Sequence, residues 1–292
     1  MPIRNQNKMK LSQFEKTKNF FNKYYVVENG VRGIREDYVD NFFRKNYNSF
    51  EAQEFIAEEI INDTSVRRIL ELGCGKGINI SYLLKMGFQG NIFGIDISSV
   101  AINHARKKVE LKNVNLSVQN ATKLNFPNEF FDCVYVINLL HHVEDHLKVI
   151  NEAKRVLRKN GKLLIVDLNG SNIFYKLAIK ILPIFPKKLK NFLFEGDLFL
   201  DGEFPQRSAI SSRQLKSLLE KNFIIVYEDY YHLFFNYFYY LYKAMLYYSG
   251  RFFFLIFKIL SILNFFLIRA ENISRKIFKY SCDMYVFSCI KK

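Results

Sequence analysis

Residues Ile69–Leu84 read ILELGCGKGINISYLL, and this stretch decides the fold. A short apolar run ends in three alternating glycines, Gly73, Gly75 and Gly77, and a helix-forming segment follows at once. Glycines between a strand and a helix allow a tight turn and let the backbone approach a bound ligand closely. The dinucleotide fingerprint G-x-G-x-x-G is not met, because Ile78 holds its sixth position and Gly77 comes one residue early. No G-K-[ST] follows the turn, which excludes a P-loop. Asp96 closes the next apolar run, Asn91–Asp96, where a carboxylate can accept hydrogen bonds from both hydroxyls of a ribose.

Outward from this turn the chain alternates strands and helices. Arg68–Leu72, Asn91–Asp96, Val114–Gln119, Phe131–Ile137 and Lys162–Leu168 read as strands. Helices are predicted through Leu84, from about Ser98 to Leu111, and from about Asp145 to Arg158 with Gly161 just after. Strands separated by helices of this length make a parallel sheet with right-handed crossovers. Further on, Ser212–Asn222 reads as a helix, and Phe223–Glu228 and Ser281–Ile290 as strands. Before the turn, a helix capped by Asn48 or Ser49 is expected to run to about Asn62 with Phe50, Phe55, Ile56 and Ile60 on one face.

Several further runs extend the pattern set by the glycine turn. Together they resemble the class I S-adenosylmethionine-dependent methyltransferases, in particular the small-molecule branch with the type-11 domain. Glu71 to Gly77 matches the family's E/D-x-G-x-G-x-G turn, and Asp96 its ribose-binding acid. Asn120-Ala121 stands where the family has Asp-Ala, Phe130 to Val134 matches F-D-x-V, and Leu140 to Val143 matches L-H-H-V. Arg155 to Leu163 matches R-V-L-K-P-G-G-x-L, with Lys159-Asn160 in place of Lys-Pro. The resemblance covers about residues 67–168.

The resemblance implies an α/β, doubly wound, seven-stranded sheet of six parallel strands and an antiparallel last strand. It implies S-adenosyl-L-methionine as cofactor, held by Glu71, Gly73, Cys74, Gly75 and Gly77 in the turn, by Asp96 and Ile97, by Asn120 and Ala121, and by the backbone of Asn138. Asn120 keeps an amide oxygen that can accept from an adenine amino group. Methyl transfer from an activated sulfonium asks mainly for positioning and exclusion of water. A hydroxyl acceptor also needs a base, and His142 or His141, at the end of the fourth strand, are the candidates, with His142 slightly favoured. The bland alternative is that this turn only packs beside the cofactor. His104 and His146 fall on helices among charged neighbours and read as solvated, while His232 borders an aromatic stretch.

The chain of 292 residues is divided into an N-terminal helical cap (1–62), a cofactor-binding core (63–168) and a C-terminal part (169–292). That last part holds two apolar insertions. Ile173–Phe194 is apolar but carries Lys176, Lys180, Lys187, Lys188 and Lys190, and is broken by Pro183 and Pro186. Tyr231 to about Arg269 holds 16 of the aromatic residues of a chain with 30 Phe, 18 Tyr and no Trp. Within it Leu233–Tyr248 and Phe252–Ile268 are each shorter than the roughly 20 apolar residues a spanning helix needs, and each contains a lysine. They read as buried helices or, more favourably, as an interfacial surface that meets a bilayer or a lipid tail. Family topology would bring both insertions out on the cofactor side.

The net charge is +15, and residues 170–292 carry 18 basic and 9 acidic side chains, so +9 of it shares a segment with the aromatic cluster. Arg269, Arg275, Lys276 and Lys279 flank that cluster as expected beside anionic headgroups, each worth about 1 kcal/mol near a membrane surface. Nucleic acid is the rival partner for a basic chain. Amino-methylating enzymes of DNA and RNA usually carry N/D-P-P-Y/F after strand four, whereas Asn138-Leu139-Leu140-His141 stands here, and no Cys follows a Pro. The four cysteines, Cys74, Cys133, Cys282 and Cys289, show no C-x-x-C pairing and no histidines at zinc spacing, so no metal is expected and the setting is a reducing cytoplasm. The polar, basic start lacks an apolar h-region, so no signal peptide is expected.

The expected function is methyl transfer from S-adenosylmethionine to a hydrophobic small molecule or lipid-linked acceptor, of the quinone, prenyl or lipid-linked glycan class, at the cytoplasmic membrane surface. The alternatives are a soluble O- or N-methyltransferase with its aromatic helices in the core or a dimer interface, an RNA methyltransferase, and a non-catalytic binding protein.

Overall fold

In the computed structural model the protein is described over residues 52–109, 112–172, 209–231, 282 and 284–292. The expectations for the cap before residue 52, for Ile173–Phe194, for the aromatic stretch beyond Tyr231 and for His232 lie outside the described residues.

The elements follow in the order α1 (Ala52–Ile61), β1 (Arg68–Leu72), α2 (Ile78–Lys85), β2 (Asn91–Asp96), α3 (Ser99–Lys108), β3 (Val114–Val118) and β4 (Phe131–Ile137). Then come a single 3-10 turn (Leu140–His142), α4 (His146–Val156), β5 (Leu157–Leu168), α5 (Ser212–Glu220), β6 (Phe223–Tyr231) and β7 (Met284–Lys291). The seven strands form one sheet in the order β3-β2-β1-β4-β5-β7-β6. β1 to β5 pair in parallel, and β7 runs antiparallel between β5 and β6. This is the six-plus-one doubly wound sheet that the resemblance implied.

Helices cover both faces, so the central strands are apolar throughout rather than alternating. Ile69, Ile92, Cys133, Tyr135, Leu164 and Val166 point to one face and pack under α1, α2 and α3. Leu70, Leu72, Val134, Val136, Leu163 and Ile165 point to the other and pack under α4 and α5. Phe93, Phe126, Phe130 and Phe131 add an edge-to-face cluster at one flank, with the Arg68 guanidinium 4.1 Å from the centre of the Phe130 ring. Residues of the matched motifs do structural work here. Asp132 accepts from the backbone N–H of Arg67 and Arg68 and pairs with Arg158. Arg155 donates to the carbonyls of Leu124 and Phe126.

Some predicted boundaries move. The fifth strand starts at Leu157 rather than Lys162, because Leu157 already pairs with Phe131 across the sheet, and α4 stops at Val156 instead of Arg158. Between Leu157 and Lys162 the register with β4 shifts, and Asn160 turns this bulge at φ 60, just before the Gly161 expected to follow the helix. β6 continues to Tyr231 because its register with β7 holds to the Tyr231–Met284 pair. α3 ends at Lys108, three residues short of the reading, and α5 ends at Glu220. The final strand is described from Met284 to Lys291, and its expected start at Ser281 lies outside the described residues.

The segment after β5 is anchored tightly. Asn169 accepts from the N–H of Ser171 and Ser212 and donates to the carbonyl of Cys282, and Gly170 donates to Ile210. A side chain at Gly170 would run into the Ala209 carbonyl, so only glycine allows this approach. Asn172, Ala209 and Cys282 thus gather around one buried asparagine, Asn169.

Candidate active site

The order of strands reverses between β1 and β4, and their C-terminal ends form the crevice where open α/β sheets bind ligands. The glycine loop follows β1 there, and the Leu140–His142 turn follows β4 beside it. The two touch: a Cβ on Gly73 would stand 2.9 Å from the Leu139 side chain.

Three glycines of the loop take left-handed conformations, Gly73 at φ 77, Gly75 at φ 50 and Gly77 at φ 75. Gly77 caps α2, and a Cβ there would lie 2.7 Å from Val109. The backbone N–H groups of Gly73 and Cys74 both donate to the Ile95 carbonyl at 2.8 Å, which fixes the loop against the end of β2. Asp96, buried, then accepts from Gly75 N–H at 2.9 Å through one oxygen and from Ser98 N–H at 2.8 Å through the other. Burial raises its carboxyl above the ordinary range, against these hydrogen bonds. With the Ile97 N–H as a third backbone donor, one of the four acceptor positions of the acid that ties the loop is left for a ligand hydroxyl.

Glu71 lies beneath the loop and is fully buried. Asn79 donates to one of its oxygens at 2.6 Å and Tyr135 to the other at 3.1 Å. Burial lifts its carboxyl to about 7, opposed by those two bonds and helped by the charge of Asp96. Burial, with Glu71 and Asp96 nearby, pushes the Cys74 thiol well up, so it stays protonated and is no nucleophile at neutral pH. Ile97 is half-buried beside Asp96. Asn120 turns its amide oxygen onto Thr122 N–H at 2.9 Å, and Ala121 is buried behind it. Asn138 is exposed at φ 54 and its N–H donates to the Val166 carbonyl.

His141 is held by a buried acid. Its Nδ1 lies 2.5 Å from Oδ1 of Asp167, a fully buried acid at the end of β5. Asp167 is itself fixed by the N–H groups of Leu140 and Leu168. Asp167 was not among the candidates read from sequence, although a lone acid closing the apolar run KLLIVDL was a signal. His142 is half-buried with its ring centre 3.8 Å from that of His141. His146 is not solvated as expected: it is half-buried, and its Nε2 reaches the Leu140 carbonyl at 3.2 Å, closing the turn. His104 is half-buried on α3. Among the described residues no group of three His, Cys, Asp or Glu could hold a metal ion, and all four cysteines are buried thiols outside any disulfide.

Residues 70–165 match the family described as Methyltransferase domain. The chain is 34% identical over 108 residues to a phthiotriol/phenolphthiotriol dimycocerosates methyltransferase of Mycobacterium leprae, covering 37% of this chain and 40% of that protein. It is 32% identical over 129 residues to a demethylmenaquinone methyltransferase of Listeria welshimeri, covering 41% of this chain and 55% of that protein. The chain thus spans about half the length of these relatives. In fold it is similar to the phosphoethanolamine N-methyltransferase 2 of Haemonchus contortus in complex with phosphomonomethylethanolamine and S-adenosylhomocysteine, with a TM-score of 0.53 and 15% identity over 84% of this chain and 54% of that one.

Proposed function

We propose that this chain, whose residues 70–165 are a class I methyltransferase domain of the type-11 branch, transfers a methyl group from S-adenosylmethionine to a hydrophobic or lipid-linked acceptor. The observation that carries the donor half is Asp96 joined to the crown of the glycine loop through Gly75 N–H, which brings a buried carboxylate and left-handed glycine backbone to one end of the sheet. Such a pair suits a nucleoside: the loop admits the close approach of a ligand to its backbone, and Asp96 has acceptor capacity left for ribose. Asn120, whose amide oxygen accepts from Thr122 N–H and keeps a second lone pair, and Ala121 are assigned to the base.

When bound, the cofactor supplies an electrophilic methyl on a sulfonium. The chain's own work is to hold, orient and deprotonate. Asp167 keeps the proton of His141 on Nδ1, which leaves the lone pair on Nε2 for an acceptor hydroxyl. A base so placed contributes typically 10²–10⁴-fold, as an order-of-magnitude estimate. Burial of Asp167 keeps water from competing for Nδ1.

Two features support an apolar acceptor. The names of the relatives above concern a lipid and a quinone, and the stretches Ile173–Phe194 and Tyr231 to about Arg269 combine Phe, Tyr and Leu with lysines. Asn172, Ala209 and Cys282 lie around Asn169, two residues beyond Asp167. A surface of this composition would draw an anionic membrane and an acceptor dissolved in it. The test compares transfer of a labelled methyl group to a reduced prenylated naphthoquinone lacking its ring methyl, offered in anionic vesicles, with transfer to a water-soluble catechol. Preference for the vesicle-borne quinol, together with sedimentation of the protein on those vesicles that weakens with salt, is expected. Transfer to the catechol alone, with no vesicle binding, would leave the soluble small-molecule reading in its place.

A further inference from the structure

The glycine loop is closed at its base as well as at its crown. Glu71 precedes it on β1 and Asn79 follows it in the first turn of α2, and the 2.6 Å bond between them spans the loop from end to end. The Asn79 amide is itself oriented, because Gln53 Nε2 donates to its Oδ1 at 3.0 Å. That donation turns the Asn79 NH2 towards Glu71. Gln53 is the second residue of α1, so a helix some distance away in sequence reaches the carboxylate under the loop through one intermediary. The donors run in one direction, Gln53 to Asn79 to Glu71, and such chains polarise each other in a low-dielectric interior. Both relay side chains are half-buried, whereas Glu71 has no exposure at all.

We propose that Gln53 and Asn79 are positioning residues for the cofactor loop: the relay holds the two ends of the loop together and sets how readily the carboxylate beneath it accepts the charge of a cationic methyl donor. The inference rests on the methyl-donor reading above. An ionised Glu71 beneath the loop favours a ligand that carries a sulfonium, and Asn79 is the strongest of the hydrogen bonds that favour the ionised form. The titratable groups that face Glu71 are Tyr135 on β4, Asp96 at the end of β2 and Cys74 in the loop itself. None of these depends on Gln53 or Asn79, so removing the relay alters Glu71 selectively.

The experiment is calorimetric titration of the full chain with S-adenosylmethionine at several values between about pH 5.5 and about pH 8.5. Each variant is compared with the wild type, so ionisation of the donor itself cancels. Wild-type affinity should rise with pH through the ionisation of Glu71, near 7. Asn79→Leu should weaken binding roughly tenfold at neutral pH and move the rise to higher pH, and Gln53→Leu should do the same to a smaller extent, about threefold. Glu71→Gln should remove the pH-dependent component. Unchanged affinity and profile in both relay variants would overturn the proposal. Weaker binding with an unmoved profile would overturn it too, since it marks a role in packing alone. If Asn79→Leu does not fold, Gln53→Leu decides the outcome by the same two readouts. If the wild type binds no S-adenosylmethionine, the methyl-donor reading falls, and the relay is still read from whether Gln53→Leu displaces the pH profile of unfolding.

Discussion

His141 Nδ1 stands 2.5 Å from Asp167 Oδ1, across 26 residues of sequence and between the C-terminal ends of two neighbouring strands. The pair joins the turn after β4 to the end of β5, and Asp167 has no exposed surface. A buried carboxylate held in place by two backbone donors fixes the ring that binds it rather than letting it rotate.

Asp167→Asn should therefore act through the ring. Its amide can present NH2 to Nδ1 and so favour the tautomer with its proton on Nε2, where a base needs a lone pair. The expected outcome is a fall in kcat of roughly 10²–10⁴-fold with little change in affinity for the methyl donor. Nitrogen NMR shifts of His141 should report a proton on Nδ1 in the wild type and on Nε2 in the variant. A wild-type ring protonated on Nε2 would remove His141 as base and return attention to His142.

Glu71 makes the stability of the protein depend on pH in an unusual direction. Its folded-state value near 7 lies above the ordinary carboxyl value of 4.5, so between the two the folded state binds more protons than the unfolded state. Stability from this group is fully present below about pH 4.5, falls as pH rises, and is lost above about pH 7. The whole effect is on the order of 3 kcal/mol, since burial is complete. Denaturant unfolding at a series of pH values should show this decline, and Glu71→Gln should flatten it.

Gly77→Ala should destabilise without touching any polar group of the site. The residue sits at φ 75, and an added Cβ would stand 2.7 Å from Val109 Cγ2 and 3.3 Å from Ala105 Cβ. Left-handed strain and the contact together should cost about 1–3 kcal/mol, read as a lower unfolding midpoint. Binding of the methyl donor should weaken in parallel, because α2 starts at this residue.

What the sequence made legible follows from physical locality. β1, β2 and β4 are short apolar runs buried on both faces, and the structure bounds all three at the residues read from the pattern. The glycine loop and Asp96 were visible because left-handed turns require glycine and because the acid ends a strand. Less local features were not. The partners of Glu71 and His141, Tyr135 and Asp167, lie 64 and 26 residues away, and only the sheet register brings them together. The early start of β5 was hidden because Arg158-Lys159-Asn160-Gly161 has the composition of a turn and does bulge, while the pairing of Leu157 with Phe131 before it extends the strand.

The central claim is that the loop and Asp96 together hold a methyl-donating nucleoside. Calorimetry of the wild type and of Asp96→Ala with S-adenosylmethionine tests it most directly. Asp96→Ala removes the tie to Gly75 N–H and the acceptor for ribose together, so binding by the wild type should fall by roughly 100-fold or more in the variant while the fold persists by circular dichroism. No binding by the wild type, or equal binding by a folded Asp96→Ala protein, would contradict the account.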